Sequence, residues 1–207
     1  MILFRIAKPS DAKQIANCHW HVRDRYSHGI FLALGEHFLR TYYSITLNDP
    51  WELIVCAVDE NNNIIGFAST SMDARAKSEN LKKHKIKLGL SALWSLLSRP
   101  SLIKPVIQRY RSLNSNNKVP KFITNEGVRG GYWCWRKDDD SLMSVELSNI
   151  KNRILFNLGV RELFFEVDKC NKAVYRFHIK VNKAIPVEEI ILPDGRVRVL
   201  MKKYLSE

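Results

Sequence analysis

Residues 18–21 read Cys-His-Trp-His, which places three potential metal ligands within four positions. Cysteine and histidine are the side chains that zinc binds most often in proteins. The surrounding pattern is helical, however, and on a helix His19 and His21 point about 200° apart. Two rings in those directions cannot share one tetrahedral ion. We therefore expect no metal in this protein.

A second chemical motif is Trp133-Cys134-Trp135, a thiol between two indoles. If this segment is a strand, alternation puts both tryptophans on one face of the sheet and Cys134 on the other. A cysteine buried away from polar partners is a poor nucleophile. The pattern therefore favours a structural cysteine. For the tryptophans it favours core packing, with an acceptor pocket as the alternative.

The third feature is a basic segment, residues 75–121, with twelve basic residues and one acidic residue. It carries +11 of the net charge of +12, so the rest of the chain is almost neutral. Its lysines could form a solvated helix face, or could bind an anionic substrate, a lipid head group or a CoA phosphate. Apolar residues that follow the lysines suit a membrane surface. No finger, helix-turn-helix or stacking motif supports nucleic acid. The lysines of this segment are Lys82, Lys83, Lys85 and Lys87, and the apolar residues that follow them are Leu93, Trp94, Leu96 and Leu97.

Length and composition indicate one globular domain. The chain has 207 residues, 45% of them apolar and 26% charged, which is ordinary for a folded protein. Its four cysteines are scattered with no close pair, which favours free thiols and fits a reducing compartment. The N-terminus turns polar too early for a signal peptide, and there is no run of 18 apolar residues. We expect a soluble, cytoplasmic protein, with membrane-peripheral attachment through the basic segment as an option.

The periodicity of apolar residues predicts an α/β protein with a mixed central sheet flanked by helices. A helix capped by Ser10 or Asp11 follows the first strand, and Gly159 ends a helix whose buried stripe starts at Met143. Single helices are predicted over residues 31–42 and 81–97, and a shorter one over 102–110. Strands are predicted at 2–6, 51–58, 64–71, 132–135, 163–167, 187–192 and 197–201, with later helices at 141–158 and 171–181.

This order, with certain residues in place, resembles the GNAT superfamily of acyl-CoA N-acyltransferases. The resemblance covers the chain outside the basic segment, so we interpret residues 1–207 as one GNAT-like domain with a helical insert at 75–121. The matching stretches are Phe4–Ala12, Val58–Ala68, Gly159–Val167 and Asn171–Phe177.

The resemblance implies that acetyl-CoA, or another acyl-CoA, is a co-substrate bound between the strand near Trp133 and the strand near Phe165. Strand amides would pair with pantetheine, and the N-terminus of the next helix would face the pyrophosphate. Asn171 matches a family position that contacts CoA, although it can also cap the following helix. The implied cofactor-binding residues are Trp133, Cys134, Trp135, Ser141, Leu142, Met143, Ser144 and Asn171.

The phosphate-binding loop departs from the family pattern. Leu142 and Ser144 stand where glycines are usual, and Asp139 stands where the family has a basic residue or Gln. Carboxylates next to a pyrophosphate are unfavourable. Either the aspartates cap the helix as an internal anion and the site is vestigial, or the loop is displaced. In the second case Arg136, Lys137 or insert lysines would face the phosphates.

The resemblance also suggests catalytic residues. His178 stands where the family often has a tyrosine that protonates the leaving thiolate, and Tyr175 is the nearest hydroxyl. A histidine of near-neutral pKa could serve as that acid. The alternative is a partly buried residue of an amphipathic helix. Glu126 could be the general base, or simply a solvated loop acid.

Two functions remain open from the sequence. The first is an N-acyltransferase that transfers acetyl from acetyl-CoA to a small amine, such as an amino sugar. The second is a GNAT-like protein that has lost catalysis and binds a partner, an anionic lipid or another anion through its basic insert.

Overall fold

The computed structural model describes residues 1–24, 29–114, 127–136, 141–192 and 195–206, without the side chains of 109–114 and 141. Seven strands form one sheet in the order β1-β2-β3-β4-β5-β7-β6. The mixed α/β architecture predicted from the sequence is confirmed. The strands are β1 Leu3–Ile6, β2 Glu52–Val58, β3 Ile64–Ser71, β4 Arg129–Trp135, β5 Glu162–Asp168, β6 Ile185–Ile191 and β7 Val197–Tyr204.

Helices cover both faces of the sheet. Short 3-10 turns at Pro9–Asp11 and Pro100–Leu102 precede two of them. The α-helices are α1 Ala12–His21, α2 Ile30–Ala33, α3 Gly35–Thr46, α4 Ala74–Lys83, α5 Lys85–Ser98, α6 Ile103–Asn114, α7 Ser141–Asn157 and α8 Lys172–Lys180.

Alternation along β2 divides the interior into two apolar cores. Ile54 and Cys56 join the core under α1, α3 and α5, whereas Leu53 and Val55 join the core under α7 and α8. Successive side chains of a strand point to opposite faces, so one strand supplies both cores. The α1–α3 face and the α7–α8 face are therefore separate environments.

Strands β4 and β5 run parallel, whereas every other neighbouring pair of strands described in this sheet is antiparallel. Within the described ranges their ladder consists of Arg129 paired with Phe164, while β5 and β7 pair along the whole of β5. Beyond that point β4 and β5 separate. We call the space between them, from Gly131 onward, the β4–β5 gap.

A β-bulge lies at the start of this gap. Between the pairs of Ala68 and Thr70 the register shifts, so that Ser69 faces both Gly131 and Tyr132. The Ser69 hydroxyl accepts a hydrogen bond from the Tyr132 amide at 2.8 Å. A Cβ on Gly131 would lie 2.4 Å from that hydroxyl oxygen, so a larger residue would displace the hydroxyl from its bond to the Tyr132 amide. Bulges bend the strand that carries them, and this one bends β4 where it leaves β5.

Two predicted helices are interrupted. The predicted helix over 31–42 is wrong as a single element, because α2 ends before Leu34 and α3 starts at Gly35. Gly35 has a φ of 87°, a conformation that glycine adopts without strain. The predicted helix over 81–97 is likewise divided, at His84, whose ring bonds to the carbonyl of Asn80 and closes α4.

The insert is joined to the sheet by a buried ion pair. Asp73 caps α4 by accepting hydrogen bonds from the amides of Arg75 and Ala76. One turn later the Lys77 ammonium lies 2.7 Å from a carboxylate oxygen of Glu52, whose side chain is completely buried at the start of β2. Burial alone would lower the pKa of Lys77, yet Tyr42 and Glu52 raise it. One partly buried insert lysine therefore neutralises a buried carboxylate of the sheet.

We expect Lys77→Met to lower the free energy of unfolding by about 3–5 kcal/mol, since it leaves the Glu52 carboxylate buried without its cation. Lys82→Met, on the exposed part of α4, is the matched control and should change it by less than about 0.5 kcal/mol. Urea denaturation measures both. The double variant Lys77→Met with Glu52→Met should recover most of the loss, and equal effects of Lys77→Met and Lys82→Met would contradict the buried pair.

Candidate active site

Trp133 extends from β4 to α8 beside the β4–β5 gap. Its ring centroid lies 5.2 Å from that of Phe177 and 5.8 Å from that of His178. Its indole N–H donates to the Ser144 carbonyl in the first turns of α7, at 3.1 Å. The start of α7, the middle of β4 and the end of α8 thus meet around one indole.

His178 lies on the other side of the same space. Its ring centroid is 4.5 Å from that of Phe165 on β5, and the residue is 9% exposed. The histidine therefore contacts aromatic residues from both strands that border the gap. Among the residues predicted from the sequence, the structure brings together Trp133, Ser144 and His178.

A hydrogen-bonded chain determines which nitrogen of His178 carries the proton. The Lys203 ammonium donates to Asn182 Oδ1 at 2.8 Å, so the Asn182 amide nitrogen faces His178 Nδ1, at 3.0 Å. An ammonium has only donors and an amide nitrogen has only donors, so Nδ1 must accept. The proton of the neutral ring is therefore on Nε2.

The surroundings keep His178 neutral. Burial lowers its pKa to about 4, and the ammonium groups of Lys151 and Lys203 act in the same direction. The near-neutral pKa expected from the sequence does not apply at this position, because the charged ring is disfavoured both by desolvation and by two like charges. At neutral pH the ring is a hydrogen-bond donor through Nε2 and not an imidazolium acid.

The remaining predicted cofactor residues lie in several environments. The Cys134 side chain is buried on the α1–α3 face, opposite to Trp133, as strand alternation predicts. The indole of Trp135 packs against Gly66, and Met143 packs into the α7–α8 core. Leu142 is mostly exposed. α7 begins at Ser141, which places Ser141–Ser144 in its first turn.

On α8, Asn171 caps the helix by accepting from the Val174 amide at 3.4 Å. Tyr175 lies one turn before His178 and packs partly buried against the α7–α8 core. The capping role of Asn171 expected from the sequence is present, and a contact to CoA stays a prediction.

Several candidates cannot be placed beside the gap. Glu126, Lys137, Asp139 and Asp140 lie outside the described residues. The Arg136 guanidinium donates to Asn17 Oδ1 on α1, at 2.9 Å, and so points to the α1–α3 face.

The insert also packs on the α1–α3 face, where Ala92 and Leu88 join the core. Arg136 and the described helices of the insert therefore lie on the sheet face opposite to the start of α7, whereas Lys118 and Lys121 lie outside the described residues.

His19, from the Cys-His-Trp-His motif, is buried and bonds through Nδ1 to the Tyr43 hydroxyl at 2.8 Å. Burial lowers the pKa of His19 to about 3. Within the described ranges no group of three or more His, Cys, Asp and Glu residues could hold a metal ion.

Sequence reasoning missed the residues that control His178. Asn182 follows His178 by four positions, a spacing that predicts contact on one helical stretch. Lys151 and Lys203 belong to α7 and β7, and their proximity depends on the tertiary fold. Phe177, which stacks beside Trp133, had no pattern that distinguished it from a core residue.

The geometry agrees with solved structures. A proposed GNAT-family acetyltransferase from Desulfovibrio desulfuricans superposes with a TM-score of 0.59 at 13% identity, covering 100% of each chain. A proposed acetyltransferase from Salmonella typhimurium, solved with its cofactor acetyl-CoA, gives 0.57 at 11% identity, covering 100% of this chain and 95% of that one. This chain has the GNAT fold. An aminoglycoside 6'-acetyltransferase type Ii also gives 0.57 at 11% identity, covering 99% and 98%.

At these identities the likeness establishes the fold and not the substrate. No protein-family model matches the sequence. No curated protein shows significant sequence similarity to it.

The neutral state of His178 predicts a pH effect on stability. Its pKa is about 4 in the folded protein, against 6.5 for an unperturbed histidine, so the unfolded state binds the proton first as pH falls. Stability that is present above pH 6.5 should therefore be lost between pH 6.5 and about 4, at up to about 1.4 kcal/mol per pH unit.

His178→Phe should remove this part of the acid sensitivity, which urea denaturation at several pH values would reveal. His37→Gln, at an exposed position, is the control and should keep the wild-type slope. If the free energy of unfolding changes with pH in the same way in wild type and in His178→Phe, the lowered pKa of His178 is contradicted.

Proposed function

We propose that this protein transfers an acyl group from an acyl-CoA to a small amine. The observation that carries the proposal is the separation of β4 from β5 after their parallel pairing at Arg129 and Phe164, with His178 beside the gap. The gap supplies a place for an extended chain between two strands. His178 supplies a polar N–H among aromatic walls, where a reacting carbonyl can be stabilised.

The walls of the gap suit the pantetheine arm of an acyl-CoA. An extended arm with two amide groups can pair with a strand edge, as in β-augmentation. Ser144, which bonds to the Trp133 indole, lies in the first turns of α7, so the N-terminus of this helix is near the gap. A helix N-terminus favours an anion. Trp133 and Phe177 offer apolar contact to the chain of methylenes. Acyl-CoA would supply the thioester, and Ser141–Ser144 would be nearest to its phosphates.

The structure of His178 suggests its role in such a reaction. When an amine attacks the thioester, negative charge develops on the carbonyl oxygen, and the C–S bond then breaks. A neutral imidazole that presents Nε2–H stabilises that charge as a preorganised donor. It neither takes the proton of the amine nor needs to be protonated. The amine proton passes to a separate base, for which Glu126 stays the candidate, and CoA leaves as the thiolate, which takes up a proton from solvent.

Acyl transfer is tested by thiol release from acetyl-CoA over a panel of amines and amino sugars, with binding measured by calorimetry. We expect His178→Phe to lower turnover about 100- to 1000-fold with little change in acetyl-CoA affinity, as for removal of one oxyanion donor. His178→Gln keeps an N–H donor and should retain more activity. Tyr175→Phe is the control on the same helix.

Three outcomes would contradict parts of this proposal. No binding of acetyl-CoA at millimolar concentration would reject the cofactor. Tight binding without turnover on any amine would favour a protein that has lost catalysis. A larger loss in Tyr175→Phe than in His178→Phe would transfer the donor role to the tyrosine hydroxyl.

A second candidate function concerns the insert, because α5 is apolar on its outer side. Leu88 and Ala92 pack inward on the α1–α3 core. A second apolar stripe faces outward and spans an arc of about 100° on the helix. It consists of Ile86, Leu90, Leu93, Trp94 and Leu97, which are 48–79% exposed. Apolar residues on all sides are typical of a buried helix, yet this side of α5 is exposed.

The charges beside this stripe favour an anionic lipid surface as the partner. Lys82, Lys83, Lys85 and Lys87 are exposed at the N-terminal end of the stripe, and Lys104 follows on α6 beside the exposed Ile103. An exposed tryptophan among aliphatic residues, bordered by lysines, is typical of helices that lie in the membrane interface. We propose that α5 binds the surface of an anionic bilayer by this face. None of the helices in the described ranges combines the length and apolar character needed to cross a membrane.

Co-sedimentation with phosphatidylserine-containing vesicles tests this surface. We expect binding by wild type, loss of binding when Leu90 and Trp94 become Ser, and weaker binding when the four lysines from Lys82 to Lys87 become Gln. Lys169→Gln, on an exposed lysine remote from the insert, should bind like wild type. Binding equal to wild type in the Leu90 and Trp94 variant, or equal binding to neutral vesicles, would reject an anionic membrane partner.

A further inference from the structure

Asn182 lies between His178 and Lys203 and is 8% exposed. Its backbone is fixed at the end of α8, because its own amide donates to the Phe177 carbonyl at 3.0 Å and the Ala184 amide donates to the His178 carbonyl at 2.9 Å. These bonds keep the Asn182 side chain beside the imidazole. The orientation of its terminal amide group is then set by the side chains around it.

An asparagine amide permits two orientations at such a place. A rotation of 180° about its last bond exchanges Oδ1 and the nitrogen with almost no change in shape. In one orientation Asn182 presents an N–H donor to Nδ1 of His178, and the ring proton lies on Nε2. In the other it presents Oδ1, which accepts from Nδ1–H and leaves Nε2 as an acceptor. Asn182 by itself therefore allows both tautomers.

The Lys203 ammonium removes this ambiguity. It lies 2.8 Å from Asn182 Oδ1, and an ammonium can only donate, so the rotated amide would set donor against donor. Within the described ranges it bonds to Asn182 and to no carboxylate. Its own position is fixed by the sheet, because Lys203 on β7 pairs with Leu163 on β5.

The choice of tautomer matters because the ring is neutral. A neutral imidazole carries one proton, so each nitrogen is either a donor or an acceptor. Burial lowers the pKa of His178 to about 4, and the ammonium groups of Lys151 and Lys203 lower it further. Nδ1 is in contact with Asn182 at 3.0 Å, which leaves Nε2 for a molecule bound beside the β4–β5 gap.

We propose that Lys203 is a positioning residue for acyl transfer, and that it acts through Asn182 to keep the His178 proton on Nε2. This inference rests on the proposed function, in which Nε2–H stabilises the carbonyl oxygen of the thioester. In the other tautomer the Nε2 lone pair would face that oxygen and oppose its developing negative charge. Lys203 itself does not touch the substrate.

Nitrogen-15 NMR of the full chain at neutral pH, with labelled histidine, shows which ring nitrogen carries the proton. His178→Phe assigns the signals by their loss. We expect Nε2–H in wild type and in Lys203→Arg, since a guanidinium also only donates. Lys203→Glu presents an acceptor, so the Asn182 amide should rotate and the proton should move to Nδ1. Lys180→Glu makes the same charge change at an exposed position of α8 and should leave the tautomer as in wild type.

Asn182→Asp tests the same chain without a change at Lys203. A carboxylate has only acceptors, so it can bond to the ammonium and to Nδ1–H together. Its charge also raises the pKa of His178, and a protonated ring carries a proton on both nitrogens. In either case Nδ1 gains a proton. If Lys203→Glu does not fold, this variant carries the test.

Turnover shows whether the tautomer serves catalysis. We expect Lys203→Glu to lower turnover about 100- to 1000-fold, as removal of one oxyanion donor does, with an acetyl-CoA affinity near that of wild type. Lys203→Arg should restore most of the turnover that Lys203→Glu loses. Lys180→Glu should behave like wild type in both measurements.

A wild-type ring with its proton on Nδ1 overturns the proposal, and so does an Nδ1 that stays unprotonated in Lys203→Glu and Asn182→Asp. A moved proton with unchanged turnover in Lys203→Glu rejects the positioning role. If the spectra agree with expectation but wild type transfers no acyl group, the proposed function fails while control of the tautomer by Lys203 stands. The two failures are thus distinguishable.

Discussion

The two halves of the sheet are joined through one short parallel contact in the described part of the chain. β1 to β4 form an antiparallel half, β5, β7 and β6 form another, and Arg129 paired with Phe164 links them. Arg129 also pairs with Glu166 across the same junction. A Cβ on Gly130 would lie 2.9 Å from the Phe165 Cβ, so glycine permits the close approach. Immediately after it, the bulge at Gly131 bends β4 away, and the gap is the direct consequence.

A gap between strands exposes main-chain groups and apolar edges, and this chain surrounds it with aromatic rings. Trp133 reaches the start of α7 and the end of α8, and Phe165 and His178 meet on the β5 side. Burial and the ammonium groups of Lys151 and Lys203 keep the imidazole among them neutral, and the hydrogen-bonded chain from Lys203 through Asn182 fixes its tautomer. The electrostatics of the gap are thus determined on α7 and β7, outside its own walls.

The limits of sequence reasoning follow from the range of the interactions. Alternation along Trp133-Cys134-Trp135 correctly assigned opposite faces, because it depends on neighbours within one strand. The break at Gly35 was missed, since the apolar spacing continues across it and only the backbone conformation changes. The environment of His178 could not be predicted, because Lys151 and Lys203 approach it from elements 27 and 25 residues away.

Net charge illustrates the same point. The sequence correctly attributes most of the +12 to residues 75–121, yet it does not separate lysines by environment. Lys77, within that segment, forms a buried pair with Glu52, whereas Lys151, outside it, is buried without a counter-charge among the described residues. A solvated lysine costs the fold little, and a buried one needs an anion or a shifted pKa. The basic insert therefore carries most of the exposed positive charge, and two lysines of the almost neutral remainder, Lys151 and Lys203, account for the positive charge near His178.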